Sequence, residues 1–307
     1  MYQKSLRIRE NRLGKEHFLV ISSLQDVGRC QREKGEYSTA EATLRRALKI
    51  QEDVLGDVHA DVATTRALIG TTLCLLGDYS KAMEEHRLAL SIRETNLGKN
   101  QPLTAESHTD IGMVLCQKGD YDVTEWRHRK ALRIFEAMKG KEDEACALAL
   151  RHLGIVLTRK GEFDTAIKEL KRATRILEHN LGMDNPKTAG SYLDLGNVYL
   201  KKSKIEEALK EFRRAKVVYE SIIGTRHPDT ARAYLCLGNA LTLRGDHDAA
   251  FLEHRKALTI FEEILGDTHP TTAYGYQCLA DTLLAKGEKN EALIAVSYTH
   301  LTLPTKA

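Results

Sequence analysis

A glycine returns every 42 residues along this chain, at Gly14, Gly56, Gly98, Gly140, Gly182, Gly224 and Gly266, with no insertion between them. A fixed period of roughly 20–50 residues marks an array of equal units, each burying its apolar face only by stacking on its neighbours. The length of 307 residues would otherwise imply two ordinary domains. Further columns share the register. A second glycine falls at Gly35, Gly77, Gly119, Gly161, Gly245 and Gly287, with Ser203 in the remaining place. A third falls at Gly28, Gly70, Gly112, Gly154, Gly196 and Gly238, and Ala280 completes it. Alanines recur at Ala40, Ala82, Ala166, Ala208, Ala250 and Ala292 (Thr124 excepted), and at Ala47, Ala89, Ala131, Ala173, Ala215 and Ala257.

Each column has a local meaning. Proline follows the boundary glycine in four units, at Pro102, Pro186, Pro228 and Pro270, and proline suits the first turn of a helix, where its missing N–H costs nothing. A first helix (A) is therefore expected from about His227–Pro228 to Arg244, ended by Gly245 in the left-handed conformation. A second helix (B) follows, with Ala250, His254, Ala257, Leu258 and Phe261 on one face. A glycine inside helix A costs about 1 kcal/mol relative to alanine, so the column from Gly28 to Gly238 is expected where helix B crosses closely. The pattern predicts an all-α fold, a right-handed α-solenoid of stacked helix–turn–helix units.

With Gly28 counted as position 8 of a repeat, Val27 takes position 7, Ala40 position 20, Leu44 position 24 and Ala47 position 27. That pattern resembles the tetratricopeptide repeat, lengthened by about eight residues over the usual 34. The strings LGDTHPTTA (265–273), IGTRHPDTA (223–231) and LGMDNPKTA (181–189) resemble the long repeats of kinesin light chains and nephrocystin-type proteins. The resemblance covers residues 1 to about 295 and speaks for the fold more than for the function. Seven repeats follow, at 15–56, 57–98, 99–140, 141–182, 183–224, 225–266 and 267–295, the last incomplete. Residues 1–14 align with the second half of a helix B, Ser5 in the alanine column, as if an eighth unit began upstream. Past Val296 the frame is lost. Pro304 falls where the preceding repeat has Glu262, inside the expected helix, and should break it. The string SYTHLTLPT resembles read-through of a sequencing adapter, so residues 296–307 are expected to be non-native or disordered.

Little in the sequence points to chemistry. Composition is near balance, 46 basic against 43 acidic residues, with no polybasic run, so neither nucleic acid nor an anionic membrane is implied as a partner. No apolar stretch approaches a membrane span or a secretory leader. There is no P-loop, HExxH, GxSxG or dinucleotide fingerprint; no enzyme activity, cofactor or metal is expected. The six cysteines contain no CxxC, and the pairs Cys74/Cys116 and Cys236/Cys278, a repeat apart, are placed roughly 10 Å apart by helix packing, beyond disulfide reach. Reduced thiols in a cytoplasmic protein are expected. His17, His59, His227 and His269 hold one boundary column and read as helix caps. His86, His128 and His254 share position 24 with Leu44, Leu170 and Phe212 and read as partly buried, hydrogen-bonded imidazoles.

In tetratricopeptide arrays the A helices line a concave groove, and the resemblance implies that positions 5, 9 and 12 face it. Position 5 holds Gln25, Arg151, Leu193 and Leu235 among others, position 9 Arg29, Asn197 and Asn239, and position 12 Arg32 and Leu200. Candidate partner-binding residues are thus Asn197, Asn239, Arg29, Arg32, Arg151, Leu193 and Leu235, on a surface basic at first and apolar with amides later, suited to an extended peptide or a helix. The leading reading is a protein-interaction scaffold. Two others stay open: a sensor segment of a larger signalling NTPase, with an intramolecular partner domain upstream of residue 1, and a kinesin-light-chain-like cargo adaptor. Kinesin light chains typically carry Asn-Asn just before position 8. The pairs here, from Gln25–Asp26 to Gln277–Cys278, contain no asparagine.

Overall fold

The computed structural model of the chain describes residues 2–267 and 269–302. Among them all regular structure is helical. The helices are α1 Tyr2–Leu13, α2 Val20–Glu33, α3 Tyr37–Leu55, α4 Ala60–Leu76, α5 Tyr79–Asn96, α6 Pro102–Lys118, α7 Tyr121–Lys139, α8 Glu144–Lys160, α9 Phe163–Leu181, α10 Pro186–Lys201, α11 Ile205–Ile222, α12 Pro228–Arg244, α13 His247–Leu265, α14 Pro270–Lys286 and α15 Lys289–Thr302. From α2 onward even numbers are A helices and odd numbers B helices. The chain divides into two compact units, Met1–Val156 and Leu157–Ala307, the division falling inside α8. In the first unit each A helix packs on its own B helix, α2 on α3, α4 on α5 and α6 on α7, and α1, α3 and α5 pack on the A helices that follow them, α2, α4 and α6. The second unit repeats the scheme through α10/α11, α12/α13 and α14/α15. These are stacked tetratricopeptide-type helix pairs, a solenoid architecture.

The boundaries follow from caps. Pro102, Pro186, Pro228 and Pro270 open α6, α10, α12 and α14. His59, His227 and His269 each accept, through Nδ1, the backbone N–H two residues on, at 3.1–3.2 Å, and Asn185 does the same through Oδ1 at 2.9 Å. The boundary histidines thus satisfy N–H groups that a helix start leaves without partners. Gln101 makes no such side-chain bond. A second device escapes the column reading. Thr104, Thr188, Thr230 and Thr272 donate their hydroxyls to the carbonyls of Gly98, Gly182, Gly224 and Gly266 at 2.7–2.9 Å, tying each helix start to the preceding helix end. Cys146 takes that place in its repeat and gives its thiol to Gly140 at 3.2 Å.

The position-8 glycines sit where helix B crosses. A β-carbon on Gly28 would lie 2.7 Å from Leu44 Cγ, on Gly70 2.8 Å from His86 Cε1 and on Gly112 2.7 Å from His128 Cε1. On Gly196 and Gly238 it would overlap the rings of Phe212 and His254. Each of these five position-24 side chains therefore rests directly on the backbone of helix A, and the alanines around them (Ala40, Ala47, Ala208, Ala215, Ala250 and Ala257) are wholly buried. The small residues set the helix–helix distance and the large one fills the gap.

Ser203 is the one described residue other than glycine with a positive φ, 60°, and it stands in the column where Gly245 has φ 96°. A β-carbon disfavours that conformation, so Ser203→Gly is expected to stabilise the α10–α11 turn by about 1 kcal/mol. Thermal melting followed by circular dichroism checks this; an unchanged or lower melting temperature refutes it. At the end of the chain, α15 continues to Thr302. The expected break at Pro304 lies outside the described residues.

Candidate functional site

The surface left to the A helices differs between the two units. In the first, Arg29 is exposed and Arg32 half-buried. Gln25 is used structurally: its Nε2 donates to Thr65 Oγ1 at 2.7 Å, and that hydroxyl donates in turn to Gln51. Arg151 is half-buried. The basic start expected here has an acidic counterpart, because Glu106 and Asp110 share this face of α6. Burial pushes the Asp110 carboxyl up to about 7, with Glu106 adding to the rise and Arg93 and Arg32 opposing it. Asp110 Oδ2 lies 3.9 Å from His86 Nδ1. The surface is therefore mixed in charge.

In the second unit Asn197 is exposed and its amide makes no hydrogen bond among the described residues. Asn239 is half-buried, and its Oδ1 lies 3.0 Å from His254 Nε2. His254 Nδ1 is 2.9 Å from Thr282 Oγ1 on α14. With the amide oxygen as acceptor, Nε2 carries the hydrogen and Nδ1 faces the threonine hydroxyl as an acceptor, while that hydroxyl also donates to the Cys278 carbonyl at 3.1 Å. Burial pushes the His254 imidazole down to about 4, so it stays neutral. The two asparagines are equivalent in sequence but not in structure, because Phe212 occupies position 24 under Asn197 and offers no bond.

Leu193 and Leu235 are corrected by the structure. They are 2% and 4% exposed, so position 5 of α10 and α12 points into the packing between helices, and neither side chain is available to a partner; Gln277, in the same place on α14, is exposed. On α12 the accessible line instead follows positions 2, 6, 9 and 13, that is Arg232, Cys236, Asn239 and Leu243, and on α14 Tyr274 at position 2 is exposed; of these only Asn239 is among the groove positions taken from the resemblance. Arg232 pairs with Asp229 at 3.1 Å, while Tyr274 is 54% and Leu243 62% exposed. The i, i+4, i+7, i+11 spacing on α12 carries this signal in the sequence.

None of the six cysteines is in a disulfide. Burial pushes Cys74 and Cys236 up to about 11, which keeps them protonated and poor nucleophiles. Among the described residues no three His, Cys, Asp or Glu side chains gather as metal ligands, and no helix is long and apolar enough to cross a membrane.

A tetratricopeptide repeat model matches residues 1–53, 35–95, 61–137, 103–179, 187–263 and 229–296. No curated protein matches the sequence. Among solved structures, BtubC (BKLC) from P. vanneervenii is similar over 75% of this chain and 89% of its own, with 19% identity and a TM-score of 0.58. The kinesin-light-chain-like, nearly identical TPR-like repeats of Podosopora anserina match over 66% of this chain and 96% of theirs, at 17% identity and a TM-score of 0.55. The Rap conjugation gene regulator of the plasmid pLS20, solved with the Phr* peptide, matches over 93% of this chain and 74% of its own, at 16% identity and a TM-score of 0.72. At such identities the likeness is one of fold. Helix pairs held in one register and a family model matched along most of the sequence lead to the same place: the chain belongs to the tetratricopeptide repeat family.

Proposed function

We propose that the chain is a protein-interaction scaffold whose A-helix face, in the second unit, grips an extended segment of a partner protein. The observation that carries this reading is the unused amide of Asn197, exposed beside a line of apolar and hydrogen-bonding groups that includes Asn239, Tyr274 and Leu243. A free amide offers donor and acceptor together, as a peptide backbone requires, and exposed leucine and tyrosine supply side-chain contact. The pLS20 regulator, similar in fold, is solved with a peptide, which fits the same use. The residues facing this line are hydrogen-bond formers, a single arginine already paired and thiols held protonated; a binding role suits them better than catalysis. Cysteines outside any disulfide also fit a cytoplasmic setting.

The test starts from peptides selected from a random displayed library against the whole chain. Asn197→Ala together with Asn239→Ala is expected to weaken the selected peptides about tenfold, the scale of one or two lost hydrogen bonds, without loss of helicity. Arg29→Glu with Arg151→Glu is expected to leave them unchanged. Unaltered affinity in the asparagine pair rejects this face as the binding surface.

A further inference from the structure

We propose a second docking site, on the outer face of α7 in the first unit, for an acidic peptide segment carrying a large apolar side chain. Trp126 is the chain's one tryptophan and it is 50% exposed. Indole rings left half in water are uncommon away from contact surfaces, since they offer large rigid area at low entropic cost. In the other repeats the residues in this column are Ala42, Glu84, Lys168, Lys210, Leu252 and Ile294, so the repeat itself does not call for an aromatic here.

The ring is held in place. The His108 imidazole meets it edge-on at 6.4 Å, and the Arg127 guanidinium and Lys130 ammonium each lie 5.4 Å from its centroid. Beside it an open depression of about 690 Å³ is lined by Trp126, Ile134, Ala137, Met138, Asn100 and the two cations Lys130 and Arg133, with no carboxylate. Met138 is 49% exposed, so the depression is apolar on one side and positive on the other.

Charge identifies the occupant. Lys130 shares its column with Arg46 and Arg214, which reach Glu10 and Glu178 at 2.6 Å. Lys130 instead leans over the indole, and neither it nor Arg133 has a carboxylate within 4 Å among the described residues. The neighbouring Arg129 is already paired with Glu125 at 2.7 Å. Two unneutralised cations at the rim of an apolar depression are complementary to carboxylates flanking an apolar anchor. The site is built on α7, with His108 of α6 behind the ring and Asn100 just before α6, and it shares no residue with the A-helix line of the second unit.

Because Trp126 is the only tryptophan, its fluorescence reads this site alone. The whole chain is titrated with a short synthetic peptide of glutamates around a central leucine and phenylalanine, and with its glutamine counterpart. The glutamate peptide is expected to shift the emission, with an affinity that falls as salt rises and that drops about tenfold in Lys130→Glu/Arg133→Glu, about 1.4 kcal/mol. Asn197→Ala/Asn239→Ala is expected to bind it as the parent does. Trp126→Ala, read by anisotropy of the labelled peptide, is expected to lose binding while keeping helicity. Three results overturn the proposal: no emission change with the glutamate peptide, equal response to the glutamine peptide, or parent-like binding by the charge-reversed variant. Loss of the peptide in the asparagine pair also overturns it, by placing the peptide on the other face.

Discussion

Gly196→Leu is expected to collapse the cooperative melting of the second unit. A β-carbon at Gly196 would overlap the Phe212 ring, which is itself wholly buried, so the ring cannot stay where it is. If it leaves, the unit loses the packing of a buried phenylalanine, worth about 3–5 kcal/mol. If helix α11 moves instead, the alanines Ala208 and Ala215 lose their contact with the neighbouring helices, and the stacking that follows is disturbed. Phe212→Ala should cost a similar amount by leaving a cavity. The double variant should then be less destabilised than the sum, since the leucine partly fills the space the ring vacated. Strict additivity, or a parent-like melt for Gly196→Leu, rejects the close crossing as the organising contact. The sequence itself contains one such exchange: the only repeat with alanine at position 8, Ala280, has valine at position 24.

That exchange also shows what the sequence could reveal. The boundaries of α12 were readable from His227, Pro228 and Gly245 because caps and breakers act on their own backbone, within a few residues. The Gly28-to-Gly238 column was readable as a close crossing because repetition exposes a glycine whose local cost has no local reason. The accessible surface was not readable in the same way. Whether position 5 points outward depends on how neighbouring helices rotate against one another, and Leu193 and Leu235 are turned inward by that packing. Asn197 and Asn239 share a column, yet the partner that separates them, Phe212 or His254, lies on another helix. Trp126 departs from a column otherwise filled by Ala42, Glu84, Lys168, Lys210, Leu252 and Ile294, and that departure is legible in the sequence. Unequal residues in an equal array point to function more directly than the array does.

The position-24 histidines give the last expected result: acid should loosen the first unit, and removing His86 and His128 should blunt the effect. Their side chains are 1% and 2% exposed. Burial pushes His86 down to about 4, with Arg93 adding to the fall, and pushes His128 down to about 3, with His152 adding. Both folded values lie below the unfolded value near 6.5. Between about pH 6.5 and these folded values the unfolded chain binds protons that the folded chain refuses, so stability is whole above that window and is lost as pH falls through it. At about pH 5.5 the loss is on the order of 1 kcal/mol for each histidine. Asp110 acts in the opposite sense: its folded value is raised to about 7, so its protonation favours the fold as pH falls. His128→Leu isolates the histidine contribution, because His152 is the group that acts on His128 through charge, while His86 stands beside Asp110. Leucine fits the slot, since Leu44 fills it in the same unit with 1% exposure. The parent's melting temperature should therefore fall more steeply between pH 7 and about pH 5.5 than that of His128→Leu, and more steeply still than that of His86→Leu/His128→Leu, the single step being worth about 3 °C. Parallel pH profiles for parent and variants would mean that these imidazoles are solvated in the folded chain, and with that the close contact between position 8 and position 24 would lose its main support.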